Sequence, residues 1–219
     1  MCPAREALVI EIGPGRGALT EKLLKRADRV IAIEVDHELV EHLRERFAGA
    51  PLEIVHADVL QTDLGQWGPV PIAGNLPYYI TSPILQQATR TDAPRAVFLM
   101  QKEVAERLVA KPGTRDYGFL TVQTALLADT KYLFDVKPGS FSPPPKVDSA
   151  VVLLTPRQQS VSDDLIRFAG HCFSHKRKTL RNNLAGIYGK ERIEAWPEAS
   201  LRAEQIPIGQ FVEMWKRLL

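Results

Sequence analysis

Short apolar runs alternate with stretches of helical period over the first 156 residues. Residues 7–12 (ALVIEI) read as a buried strand, and Leu19, Leu23 and Leu24 follow at helical spacing. Residues 30–33 (VIAI) make a second strand. Leu39, Leu43 and Phe47 then recur every four residues, which places them on one face of a helix. Further strands are predicted at 52–56, 70–74 and 96–100. Strands that alternate with helices predict a mostly parallel sheet covered by helices on both faces.

The pattern changes after residue 130. Residues 132–136 (YLFDV) and 150–154 (AVVLL) are two strands with no helix between them, joined by a link rich in proline and glycine. A pair joined this way suits an antiparallel hairpin at one edge of the sheet. Seven strands result. Beyond Pro156 only helical patterns remain, around Leu165, Leu180 and Phe211. A boundary near Pro156 divides the chain into an α/β domain, 1–156, and a small helical domain, 157–219, too short to stand alone.

Composition adds little until it is divided along the chain. The 219 residues carry a formal net charge of +2, but residues 157–219 hold 11 Lys and Arg against 7 Asp and Glu. The helical tail is therefore the part suited to an anionic partner. The two cysteines, Cys2 and Cys172, are far apart, and the five histidines show no metal spacing, so neither a disulfide framework nor a metal site is expected. No apolar run approaches membrane-spanning length and no signal-peptide pattern opens the chain, so a reducing cytoplasm is the expected setting.

The candidate chemistry lies at the strand ends. Glu11-Ile12-Gly13-Pro14-Gly15-Arg16-Gly17 follows the first strand and opens the first helix. Glycines there let the chain turn tightly and let a ligand approach the main chain. Glu34 ends the second strand, where a carboxylate can accept ribose hydroxyls, and Asp58 follows the third, where one can hold an adenine amine. These converge on a nucleoside. A dinucleotide-dependent oxidoreductase is disfavoured, because the third glycine falls outside the G-x-G-x-x-G position.

The fourth strand runs into Asn75-Leu76-Pro77-Tyr78. This resembles the Asn-Pro-Pro-Tyr motif of methyltransferases that act on the exocyclic amine of adenine. The resemblance implies that the Asn75 side-chain oxygen and the Leu76 carbonyl accept hydrogen bonds from the target amine, with Pro77 shaping the turn and Tyr78 stacking on the base. Such acceptors favour pyramidalisation of a poorly nucleophilic nitrogen and stabilise positive charge developing on it. A base attacked this way must leave its stack.

Other blocks extend the resemblance over nearly the whole chain: 75–85 NLPYYITSPIL, 101–108 QKEVAERL, 112–120 PGTRDYGFL, 141–151 FSPPPKVDSAV and 175–184 HKRKTLRNNL. Together they are similar to the small-subunit ribosomal RNA adenine dimethyltransferase family, of the KsgA type. The resemblance implies a class I Rossmann-like fold that uses S-adenosylmethionine, yields S-adenosylhomocysteine and needs no metal. Glu11, Gly13, Gly15, Glu34, Asp58 and Asn75 would line the cofactor site. Phe141 would close over the far face of the target base, beside a stiff loop of three prolines. The implied substrate is a pair of adjacent adenines in a 3′-terminal hairpin loop of 16S rRNA, within the immature small subunit, and a monomer is expected.

Lys176, Arg177, Lys178 and Arg181 are predicted to open a helix, with Arg177 and Arg181 on one face, and to contact RNA phosphates. Members of the family usually carry a further stretch before the first strand that helps cover the cofactor. Few residues precede Val9 here, so contacts from that stretch are not carried over and weaker cofactor binding is expected. Two other functions stay open at this level. One is the sister activity on large-subunit RNA that confers antibiotic resistance. The other is a non-catalytic role in small-subunit assembly, against which the intact Asn75-to-Tyr78 motif argues.

Overall fold

A computed structural model describes residues 5–77, 79–141, 143–158 and 161–219. The predicted Tyr78 and Cys2 lie outside these residues. The chain divides into two compact units, one of residues 1–105 and 128–158 and the other of residues 106–127 and 159–219. The second unit thus draws on a segment, 106–127, that the sequence pattern left with the first.

The first unit is a seven-stranded sheet. Its elements are β1 (Glu6–Ile12), α1 (Ala18–Leu23), β2 (Ala27–Glu34), α2 (His37–Arg46), β3 (Leu52–His56), β4 (Ile72–Asn75), α3 (Thr81–Ala88) and β5 (Ala96–Gln101). The chain then runs through α4 (Lys102–Leu108) and α5 (Phe119–Leu127) before β6 (Ala128–Val136) and β7 (Ser149–Pro156). The strand order is β3-β2-β1-β4-β5-β7-β6. The first five strands are mutually parallel, and β7 runs antiparallel to both β5 and β6.

The central strands are near-continuous apolar runs because both faces are covered. Val9, Ile10, Ile12, Val30, Ile31 and Ile33 are all almost fully buried. β4 begins at Ile72, two residues later than its apolar run, because Pro71 has no amide to give the ladder. Its carbonyl instead accepts from the Ile10 amide at 3.0 Å. β6 starts earlier than predicted, since Ala128 pairs with Pro156 and extends the hairpin.

The chain winds outward from β1 through β2 to β3, then returns to place β4 on the other side of β1. This reversal separates the carboxyl ends of β1 and β4 and opens a crevice there. The glycine turn after β1 enters it in left-handed backbone, with φ of 64° at Gly13, 57° at Gly15 and 82° at Gly17. Gly17 is also pressed against α2: a Cβ there would collide with the Phe47 ring, whose Cζ lies 2.8 Å away. Around Gly15 a Cβ would meet nothing within 4 Å. Gly17→Ala is therefore expected to destabilise the chain by roughly 2–4 kcal/mol, from backbone strain plus overpacking. Gly15→Ala should cost only the strain, about 1–2 kcal/mol. Urea unfolding of both variants separates the two; equal losses would contradict the packing argument.

The second unit completes its helices with α6 (Asp163–Cys172), α7 (Leu180–Tyr188), α8 (Lys190–Glu194) and α9 (Ile208–Lys216). They enclose an aromatic core of Tyr117, Phe168, Phe211 and Trp196, with Phe168 against Trp196 and Trp215. Trp196 here and Met100 on β5 of the first unit are both inside, as their apolar bulk predicts. Among the described residues no helix is long and apolar enough to cross a membrane.

Candidate active site

A cavity of about 910 Å³ opens at the crevice, within the first unit. Its floor is the glycine turn and the strand ends, through Glu11, Gly13, Gly15, Gly74 and Asn75. One wall is α1, through Ala18, Leu19 and Lys22, and the opposite wall comes from the β6–β7 hairpin, through Val136, Phe141, Pro143 and Val151. The size and the mostly apolar lining with few polar groups suit a nucleoside-sized ligand. Gly74 keeps β4 close to β1, since a Cβ there would lie 2.6 Å from the Ile12 carbonyl oxygen.

Glu11 is the most unusual group in the cavity. Its side chain is 1% exposed, and neither carboxylate oxygen has a hydrogen bond of good geometry among the described residues, the Thr20 hydroxyl and amide being the donors beside it. Its register neighbours are Ala32 on β2 and Ala73 on β4, which offer no donor. Burial pushes its pKa up from 4.5 to about 7. Thr20 pulls the other way, and the nearby Glu34 carboxylate adds to the rise. A buried carboxylate without an ion-pair partner among the described residues, lining a cavity, is a ready counter-charge for a cationic group on a ligand.

Glu34 sits behind the turn rather than in the cavity wall. Its carboxylate accepts from the amides of Gly15 at 3.1 Å, Val35 at 3.0 Å and Asp36 at 3.1 Å. Three of roughly four acceptor positions are thereby used, so the side chain first of all fixes the glycine turn and keeps limited capacity for hydroxyls. The Ala57 amide donates to the Glu34 carbonyl at 3.0 Å, which brings the end of β3 alongside. Asp58 lies two residues past β3, exposed. It caps a short 3₁₀ turn by accepting from the Leu60 amide at 2.9 Å.

Asn75 ends β4 in register with Leu99, and its side chain is exposed at the cavity. Leu76 is buried and its amide donates to the Leu99 carbonyl at 2.9 Å. Its carbonyl has no hydrogen bond among the described residues and stays available as an acceptor. The Pro77 carbonyl is already used, accepting from the Ile80 amide at 3.2 Å and the Thr81 hydroxyl at 3.0 Å, which fixes the turn into α3. Phe141 is held by a short 3₁₀ turn that starts at Pro138, whose carbonyl accepts the Phe141 amide at 3.1 Å. An ion pair between Lys137 and Asp148, 2.5 Å apart, clasps the two ends of this loop.

Glu11, Gly13, Gly15, Asn75 and Phe141 are therefore brought around one cavity, with Glu34 one hydrogen bond behind it. Arg16 and Lys22 also line it, which strand-end logic missed; Arg16 sits within the glycine turn and Lys22 on α1. Among the described residues no cluster of His, Cys, Asp or Glu could hold a metal.

The basic run behaves differently from its predicted form. Residues 176–178 form an exposed turn and α7 begins only at Leu180. Thr179 takes extended backbone as the helix cap and forms an antiparallel bridge with Arg202, so the helix cannot start earlier. Arg177 and Arg181 accordingly do not share a helical face. Asn183, without a predicted role, is buried and ties the end of α6 to this turn, donating to the Cys172 carbonyl at 2.7 Å and the His175 carbonyl at 3.3 Å.

A sheet of this order, closed by an antiparallel pair and carrying a ligand cavity at the reversal beside a glycine turn, defines a class I methyltransferase fold. The sequence pattern of ribosomal RNA adenine dimethylases matches residues 3–218, and the chain belongs to that family. It is 44% identical over 229 residues to the ribosomal RNA small subunit methyltransferase A of Acidobacterium capsulatum, covering 96% of this chain and 81% of that protein. A crystal structure of a dimethyladenosine transferase from Plasmodium falciparum superposes with a TM-score of 0.81 at 27% identity, covering 99% of this chain and 93% of that one. The 23S rRNA methyltransferase ErmE superposes with a TM-score of 0.67 at 30% identity and the same coverage.

Proposed function

We propose that the chain transfers methyl groups from S-adenosylmethionine to N6 of two adjacent adenines in a 3′-terminal hairpin loop of 16S rRNA, in the immature small subunit. One observation carries the reading. Asn75 of the Asn-Leu-Pro-Tyr sequence and the buried Glu11 carboxylate, which has no ion pair among the described residues, line the same cavity. A methyltransferase that needs acceptors for an amine and a counter-charge for a cationic cofactor would require both. Relatives named as small-subunit methyltransferases favour this substrate over the large-subunit one.

The residues fit the cofactor. Glu11 would hold its ammonium, Arg16 and Lys22 would face its carboxylate, and Gly13 and Gly15 would admit it against the main chain. Glu34 would use its remaining acceptor position for ribose, and Asp58 would lie near the adenine. The bound cofactor supplies an already activated methyl group, so the protein needs neither a strong base nor a metal. Asn75 and the Leu76 carbonyl would orient the amine and stabilise its growing positive charge. Tyr78, outside the described residues, and Phe141 would sandwich the base. Stacking of this kind is worth roughly 1–3 kcal/mol per base. Lys176, Arg177, Lys178 and Arg181 would contact phosphates of the RNA.

The test is methyl transfer from labelled S-adenosylmethionine to unmethylated small and large subunits, followed by mapping of the modified bases. Dimethylation of two adjacent adenines in 16S rRNA is expected. Label confined to large-subunit RNA, or absent from both, would overturn the reading.

A further inference from the structure

The loop between α4 and α5, residues 111–116 (KPGTRD), is exposed along its whole length. It is nevertheless fastened in place within the second unit. The Gly113 amide donates to the Glu204 carbonyl at 2.7 Å, and Lys176 Nζ donates to the Arg115 carbonyl at 2.6 Å. Just beyond the loop, Tyr117 is fully buried and its hydroxyl donates to the Ile206 carbonyl at 2.7 Å. The segment around Arg202 is fastened to the start of α7 in turn, by the bridge to Thr179 and by the Leu180 amide donating to the Leu201 carbonyl at 2.7 Å. Three segments remote in sequence thus form one platform.

Its charge is lopsided. Lys111, Arg115, Arg177 and Lys178 form no ion pair among the described residues, although all four are exposed. Arg181 and Arg202 have only long ion pairs, 3.9 Å each, to Glu194 and Glu204. Asp116 is the one acid within the loop itself. Cations left unpaired on a pinned backbone hold a fixed geometry before any partner arrives, which lowers the ordering cost of binding. Neither the loop 111–116 nor the turn 176–178 presents a large apolar side chain, and a protein interface would need an apolar centre. Binding a phosphate backbone needs only cations and amides.

We propose that Lys111, Arg115 and Arg202 extend the basic turn 176–178 into one phosphate-binding surface, so that the loop 111–116 is a second arm holding the RNA. The proposal rests on the RNA substrate put forward above. It is tested by measuring how binding of an RNA hairpin with two adjacent loop adenines depends on salt, for the full chain and three double variants. Lys111→Gln/Arg115→Gln probes the arm and Arg177→Gln/Lys178→Gln the basic turn. Lys190→Gln/Lys216→Gln removes the same charge elsewhere on the unit, with Lys190 just past the far end of α7. Thermal melts should be unchanged in all three. The first two variants should each flatten the log–log slope by about 0.7–0.9 for every phosphate no longer neutralised, and the third should not. Arg202→Gln should add a further loss of the same kind. A flattened slope for the turn but not for the arm would overturn the proposal and leave the RNA reading standing. Unchanged slopes for both would overturn the two together. Equal flattening by the control would mean that net charge alone is responsible, and would also overturn it.

Discussion

Asn75→Ala should lower single-turnover methyl transfer on the order of 10²–10³-fold while sparing cofactor affinity more than rate. The reason is a division of labour within β4. The strand is held by backbone pairing with β5 and by the buried Leu76, whereas the Asn75 side chain is exposed at the cavity and has no hydrogen bond among the described residues. Removing it leaves no buried polar group unpaired, so stability should change by less than about 0.5 kcal/mol. What is lost is one preorganised acceptor for the reacting amine, and losses of single donors or acceptors of that kind have the stated size. The loss should appear in the rate constant rather than in substrate affinity, because the interaction strengthens as charge develops on nitrogen. Calorimetry with S-adenosylhomocysteine and rapid-quench methyl transfer give the two numbers. Turnover close to wild type would remove Asn75 from the mechanism.

The sheet was legible because period-two and continuous apolar runs survive in a sheet buried on both faces. All seven strands fall where those runs lie; the larger shifts are at β4, which starts past Pro71, at β6, which starts early at Ala128 in the hairpin, and at β2, which starts at Ala27, paired with Glu6, three residues before its apolar run. Helix α5 was not legible. Thr121, Val122, Gln123, Thr124, Leu126 and Leu127 are buried all round it, so no polar stripe marks its period. For the same reason its membership of the second unit was hidden, since that depends on packing against helices far along the chain. At the site, the strand-end residues were found from position alone. Their bonding was not: nothing in the sequence says that three amides already occupy Glu34, or that Glu11 has alanines on both flanks. The basic run was readable as charge but misread as helix, because a single bridge from Thr179 to Arg202 decides where α7 begins.

Glu11 leads to the second large effect, in which stability and ligand binding move in opposite directions with pH. The groups around it are Thr20 on α1, Glu34 on β2 and the alanines in register, with Arg16 and Lys22 sharing the cavity. Burial raises its pKa from 4.5 to about 7, which corresponds to roughly 3 kcal/mol at 1.36 kcal/mol per pH unit. A folded pKa above the unfolded one means that this stability is fully present below about pH 4.5 and is lost as pH rises through about 7. Above pH 7 the ligand-free protein carries a buried carboxylate with no ion-pair partner among the described residues and only Thr20 as a donor beside it. Glu11→Gln cannot ionise, so at about pH 8 it should be more stable than wild type, by up to about 3 kcal/mol before any cost of the buried amide. Below about pH 4.5 that advantage should vanish. Binding of a cationic cofactor should do the reverse. It needs the ionised carboxylate, so wild-type affinity should fall about tenfold per pH unit below 7, on the order of 100-fold by pH 5. In Glu11→Gln the affinity should be weak and lack this dependence. Urea unfolding across this pH range and calorimetry at the same pH values would show both effects. A stability gain that fails to appear at pH 8, or a wild-type affinity that stays flat from pH 8 to pH 5, would mean that Glu11 is already paired in solution and does not serve as the cofactor's counter-charge.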